Sequence, residues 1–563
     1  MERRIILAVV LMVIVAVLPG ILFPRKKPVG QTGGQAVGDT APEKAPAIPA
    51  AESLPARPPV RPTAALPAET VWVTSPRYRL GFSTRGAALV SAELRDYRSF
   101  APGDSGRAVQ LVPAGRPWLV YARTTGADTT PLSAWTFTPS ARAVVVGPER
   151  GGGGGESGAT LRFAAEQGGE TMSVEYRFFP NEYRFSVAGR LEGFGAGGAT
   201  LLLGMGDGLR SVEADSTDDF RHFAVVTKAT KTQSTDFQSL KPADRRILDG
   251  PFEWAGVKSK YFFAAALAVE ENQPRFGAAV VVGGERTATA SSLFGRSTVA
   301  TRAALALTLP VPPAGEFRYD LYAGPLEYRR LAQLGHDLDD ANPYGGFLRP
   351  LIQPVSVWVV NILIWMHDRL SLAYGWVLII FGVLVRALLW PLNQKAMESS
   401  IRMQAVAPLI KQTQDRYKSD PEKLQREMMR IYKENNVNPF GGCLPMLLPM
   451  PVLFALFFVF ANTIEFRGVP FLWLPDLSRA DPYYIIPIIM GLSMFVLSKV
   501  GQIGVPPNPQ TKTMVYFMPA FMTLLFFRFA SGLNIYYAVS NIFSIPQQYL
   551  IAMRRLREQG KKT

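Results

Sequence analysis

GWVLIIFGVLVRALLWPL, residues 375 to 392, places a single arginine, Arg386, among aliphatic and aromatic side chains. A guanidinium at the centre of a bilayer costs roughly 2.5 to 3.5 kcal/mol on insertion scales, so such residues face a water-filled cavity or a polar partner rather than lipid. This stretch therefore predicts a membrane helix bordering a polar cavity.

Working outward, four further apolar segments follow in the C-terminal third. With the first, which we delimit as Tyr374 to Leu392, they are Gly441 to Ile464, Tyr483 to Val500, Thr513 to Phe527 and Leu533 to Ala552. At the other end of the chain, Ile5 to Phe23 is an apolar run behind Arg3 and Arg4. At 1.5 Å per residue it makes about 28 Å of helix, enough to cross a bilayer. A cleaved signal peptide is the alternative, but the run exceeds the usual core length and no small-x-small cleavage site follows. We read it as a signal anchor, which gives six transmembrane helices in total. The last of them carries Asn534, Tyr537, Asn541 and Gln548 on one helical face, where they could line the cavity beside Arg386 or bond neighbouring helices. Phe454, Phe457 and Phe458 on the third span and Phe517, Phe521 and Leu524 on the fifth form apolar surfaces whose spacing alone identifies no function.

Between anchor and bundle the pattern changes twice. Residues 24–70 hold ten prolines among alanine, glycine and charged residues, a composition that cannot offset its ordering entropy, so they read as a disordered tether. From 71 to about 330, short runs rich in β-branched and aromatic residues, such as YRLGF (78–82), MSVEYRFF (172–179) and RFGAAVVVG (275–283), alternate with Gly, Pro and Asp turns. That pattern predicts an all-β antiparallel sandwich. The Gly151 to Gly155 run lacks the Lys-Ser/Thr ending of a phosphate loop and reads as a hairpin connection.

Charge sets the topology. Leu351 to Met366 is apolar but only 16 residues long, with Pro354 and Asn361 inside it. If it spanned, the 395–437 loop and its nine Lys/Arg would lie outside the cell; a helix over 344–370 lying along the outer membrane surface keeps that loop, both termini and the basic tail (557–563) in the cytoplasm. Ser419-Asp420-Pro421-Glu422 is a capped helix start, and Leu424, Met428 and Ile431 follow on one face. Ile401, Ala405, Leu409 and Ile410 line an earlier face, so the loop reads as a helical hairpin, either solvated or a docking platform.

The net charge of +15 is crowded beside apolar segments, where lipid headgroups account for it, with ribosomal RNA as a secondary partner and no sign of DNA binding. A lone Cys443 excludes an intramolecular disulfide framework, and His222, His336 and His367 have no metal spacing. No nucleotide loop, Ser/His/Asp set or cofactor motif occurs in the spans, which points away from an enzyme.

VRALLWPL (385–392), NPFGGCLPMLLPMP (438–451), DPYYIIPIIMG (481–491), FMPAFM (517–522) and SGLNIYYAVSNIFSIPQQ (531–548) together resemble the YidC/Oxa membrane protein insertases. WAGVKSKYFFAAAL (254–267) and YDLYAGPLEY (319–328) extend the resemblance to the Gram-negative type with a large periplasmic domain. The resemblance implies a five-span core (371–556) with a hydrophilic groove open to cytoplasm and lipid, Arg386 as the groove arginine, and a hydrophobic slide along the third and fifth spans. It also implies insertion of nascent membrane proteins, alone or beside the Sec translocon, with ribosome contact through the 395–437 hairpin. Pro449 stands where some relatives carry a groove glutamine, and the basic tail is short, so both the third span's polar lining and tail-mediated ribosome contact are reduced. A solute transporter with an extracytoplasmic β domain is the competing class, but it would show internal repeats that this chain lacks. An assembly anchor acting through the β domain alone is the third.

Overall fold

The computed structural model describes residues 68–560 apart from 126–127, 148–157, 194–198, 270–274, 289–297, 343, 345–348, 418–419, 436–449 and 505–508. The expected signal anchor, nearly all of the tether, the Gly151 to Gly155 run and Pro449 lie outside the described residues. The chain divides into two compact units, Met1–Gly324 and Pro325–Thr563.

The first unit is all-β apart from short helical turns. Strands Thr232–Asp236, Ala224–Lys228, Trp254–Lys258, Phe262–Leu267, Glu316–Pro325, Arg184–Glu192, Glu170–Phe178, Ala159–Gln167 and Thr138–Pro139 form, in that spatial order, a nine-stranded sheet. A six-stranded sheet runs from Arg245–Phe252 through Phe276–Gly283, Ala303–Val311, Ala199–Gly204 and Val120–Thr125 to Asp128–Pro131. A five-stranded sheet holds Tyr78–Ser83 and Leu89–Arg98, with Ala143–Val145 joining Thr70–Thr74 in parallel.

Period-two burial explains the sandwich: in Glu170–Phe178, Met172, Val174, Tyr176 and Phe178 are buried while Glu175 and Arg177 face solvent. Phe82 of the five-stranded sheet meets Tyr176 of the nine-stranded one at 4.6 Å between ring centroids. Three buried tyrosines from two sheets satisfy one another: the Tyr121 hydroxyl lies 2.7 Å from that of Tyr319 and 3.2 Å from that of Tyr176, which donates to the Ala87 carbonyl at 3.0 Å. Large aromatic rings thus fill the core without leaving their hydroxyls unpaired.

One buried carboxylate is less comfortable. Helix α1, Ser216–Arg221, holds Asp219 at 1% exposure, where it accepts from Ser211 Oγ at 2.6 Å and from the Lys260 backbone N–H at 3.1 Å. Its neighbour Asp218 takes the Lys260 ammonium at 2.8 Å. Burial pushes the Asp219 carboxyl up to about 7, and nearby Glu213 adds to the rise.

The second unit is helical: α2 (Tyr328–Leu334), α3 (Arg349–Leu370), α4 (Tyr374–Arg416), α5 (Pro421–Glu434), α6 (Met450–Asn462), α7 (Ile485–Gly501), α8 (Pro509–Phe526) and α9 (Ser531–Gly560). Two differences from the sequence expectation stand out. Helix α4 is a single helix of 43 residues, running through the apolar segment and on past Pro391 and Pro408 to Arg416, so it itself supplies the first arm of the hairpin. Helix α3 has 22 residues, longer than its apolar stretch, so by length and composition it could also cross a membrane. It buries Ile352, Val359, Val360 and Leu363 but leaves Trp358 and Trp365 half-exposed. As expected, Asp420 caps α5 by accepting from the Lys423 N–H, with Pro421 in the first turn.

The raised Asp219 carboxyl sets a pH prediction for the β unit. A folded-state value near 7, against about 3.9 unfolded, means the native state holds the proton more tightly; its stabilising contribution is full below about pH 4 and is lost as pH rises through 7. Thermal unfolding of full-length protein at pH 5 and pH 8 is expected to show this loss in wild type and a flatter profile in Asp219→Asn. Parallel profiles would contradict it.

Candidate functional site: the Arg386 groove

Arg386 lies three turns into α4 and points at α9. Its Nε donates to the Ser540 carbonyl at 3.3 Å and to the Ser544 hydroxyl. Ser544 is itself buried and donates to the Ser540 carbonyl at 2.6 Å. One turn earlier on α4, Gly382 faces α9, where a Cβ would make ordinary contact with Tyr536 and Val539 at 3.4 Å. One turn later, Gln547 of α9 donates to the Trp390 carbonyl at 3.1 Å. Among the described residues, no carboxylate forms an ion pair with Arg386 and no acceptor meets its terminal Nη atoms. The guanidinium is half-buried, bound along one edge and available along the other.

The polar residues expected beside Arg386 fall on a neighbouring face. Asn534 is fully enclosed near the start of α9, where its Nδ2 donates to the Phe526 carbonyl at 3.1 Å. The Tyr537 ring packs edge-on against Phe526 at 5.1 Å. Asn541 donates to Ser493 of α7 at 3.3 Å. Gln548 is half-buried on the same stripe, its Oε1 3.8 Å from where a Cβ on Gly501 of α7 would lie. The stripe 534, 537, 541, 548 thus turns toward α7 and α8, while Tyr536, Ser540, Ser544 and Gln547 turn toward α4. A step of one residue rotates a helical face by about 100°.

The apolar surfaces differ from each other as well. Phe454, Phe457 and Phe458 of α6 are partly buried against the helical core, with Phe457 edge-on to Phe529 at 5.4 Å. On α8, Phe517 (58% exposed), Phe521 (38%) and Leu524 (67%) make an open strip, the two rings stacked at 5.7 Å. Ile488 and Leu492 of α7 are exposed too, so this part of the unit presents hydrocarbon outward, as a lipid-facing surface does.

Two family models match nearly all of the described chain: the YidC periplasmic domain over residues 70–358 and the 60Kd inner membrane protein over 365–559. The chain belongs to the YidC family. A protein of Dechloromonas aromatica (strain RCB) named membrane protein insertase YidC is 30% identical over 549 residues, 96% of this chain and 94% of that relative. One of the same name from Syntrophus aciditrophicus (strain SB) is 29% identical over 98% of this chain and 99% of its own length. A solved structure described as an active YidC insertase with its first transmembrane domain resolved is similar over 86% of this chain and 95% of that one, at 16% identity and a TM-score of 0.34.

The α7 and α8 helices pack as closely as their residues allow. A Cβ on Gly491 would fall 1.8 Å from Thr523 Oγ1, a hydroxyl that donates to the Pro519 carbonyl at 2.7 Å. Gly491→Ala is expected to destabilise the helical unit by about 1–3 kcal/mol, read as a lowered unfolding temperature in detergent, and Thr523→Ala in the same chain to recover part of it. No loss in the single variant would contradict this packing.

Proposed function

We propose that this chain is an insertase and chaperone for nascent membrane proteins in a bacterial inner membrane. It works without nucleotide hydrolysis or covalent catalysis. The observation that carries the mechanism is Arg386: a half-buried cation with a free edge and no ion-pair carboxylate among the described residues, set beside open apolar helix faces. A polar or acidic tail entering the groove pairs transiently with the guanidinium, while the client's apolar helix moves into lipid along α6 and α8 past Phe454, Phe457, Phe458, Phe517, Phe521 and Leu524. Asn534, Tyr537, Asn541 and Gln548 support the groove from the α7 and α8 side. Burying about 20 apolar residues in hydrocarbon supplies the driving force.

In this proposal the anchor and five C-terminal spans cross the membrane, the β unit is periplasmic and both termini are cytoplasmic. Positive charge on the 395–437 hairpin supports that orientation and keeps α3 at the outer interface, where Trp358 and Trp365 suit the headgroup region. The same hairpin is the proposed ribosome contact, and the Sec translocon the proposed partner for larger clients. No observation favours the solute-transporter alternative.

Arg386→Ala is expected to reduce insertion of a single-span client with an acidic translocated tail by about tenfold or more, and of the same client with a neutral tail much less, since only the first loses an ion pair in a poorly hydrated site. Protease protection of the tail in membranes containing only the variant measures both. Equal losses would remove the charge mechanism.

A further inference from the structure

The geometry points to Ser544, with the Ser540 carbonyl, as the device that positions Arg386 to receive a client carboxylate. The inference rests on the insertase reading above. A guanidinium carries donors on three nitrogens, and which edge stays free decides how it meets a carboxylate. Here Nε is taken by two acceptors on α9. Arg386 has donors only, so Ser544 must present a lone pair to it. The hydroxyl proton is already committed to the Ser540 carbonyl at 2.6 Å, so the oxygen facing Arg386 can only accept. Both acceptors therefore hold the Nε position, and the Nη1/Nη2 fork, which has no partner among the described residues, is left for a two-pronged contact with an incoming carboxylate.

Burial makes the arrangement specific. Ser544 is 4% exposed, so water cannot readily replace its hydroxyl, and Gln547 ties the two helices one turn further on by donating to the Trp390 carbonyl. Loss of the hydroxyl leaves the cation in place but frees the side chain to rotate. The consequence is selective: clients that need the fork suffer, and clients that need only the apolar path do not.

The test compares wild type, Ser544→Ala, Ser544→Thr, Arg386→Lys and Arg386→Lys/Ser544→Ala, each purified and placed in liposomes with single-span clients bearing acidic or neutral tails. Ser544→Ala should lower insertion of the acidic-tailed client by about tenfold, leave the neutral-tailed client within about twofold, and be rescued by Ser544→Thr, which restores the hydroxyl. In the Arg386→Lys background the alanine should have no further effect, because lysine has no Nε. Equal losses for both clients, or full additivity with Arg386→Lys, would overturn the proposal in favour of simple packing. A second measurement is independent of transport: proton exchange at Arg386 Nε, followed by nitrogen-15 NMR, should speed up in Ser544→Ala. Unchanged exchange overturns the positioning role even if insertion falls, whereas faster exchange with no insertion by wild type would keep the positioning and remove the insertase reading.

Discussion

A buried guanidinium must find acceptors, and in this protein it finds them without an ion-pair carboxylate among the described residues. That constraint organises the helical unit. Helix α9 supplies a carbonyl and a hydroxyl to one edge of Arg386, and to do so it must lie against α4. A carboxylate would have neutralised the cation permanently. Neutral acceptors lower the cost of desolvation while leaving its charge able to act on a passing group.

Helix α9 is consequently the element on which the others are hung. One face meets α4 through Ser540, Ser544 and Gln547, and the next meets α7 through Asn541 and Ser493. Its ends are tied as well. Ser531 and Gly532 donate backbone N–H groups to the carbonyls of Arg479 and Leu477, and near the other end Arg555 donates to the carbonyls of Gly501, the last residue of α7, and of Ile503 just beyond it. Asp476 orders that loop by accepting from Ser478, and Asp481 starts α7 by accepting from the N–H groups of Tyr483 and Ile486. Between these tied ends, α7 and α8 present an open apolar flank through Ile488, Leu492, Phe517 and Leu524.

Arg386 was legible from sequence because a lone cation in an apolar run has few physical explanations. The β strands were legible for a similar reason: YRLGF, MSVEYRFF and RFGAAVVVG alternate in and out, and the structure places them in Tyr78–Ser83, Glu170–Phe178 and Phe276–Gly283. Their order was not, since pairings such as Arg184–Glu192 with Glu316–Pro325 join residues far apart in the chain, and no local pattern encodes that. On α9 the amides and a tyrosine are the conspicuous polar groups in the sequence, whereas nothing local beyond their spacing marks Ser540 and Ser544. Their role depends on which face meets α4, a matter of packing that is offset by one residue from the amide stripe. The i, i+4 spacing of two serines was the available signal.

On the proposed mechanism this chain alone moves a polar tail across a membrane by passive means. Protease protection of a short single-span client, added to liposomes that contain only this purified protein and no ATP, tests it most directly. Protection that depends on the protein is the predicted result. Absence of protection with folded, correctly oriented protein would contradict the claim.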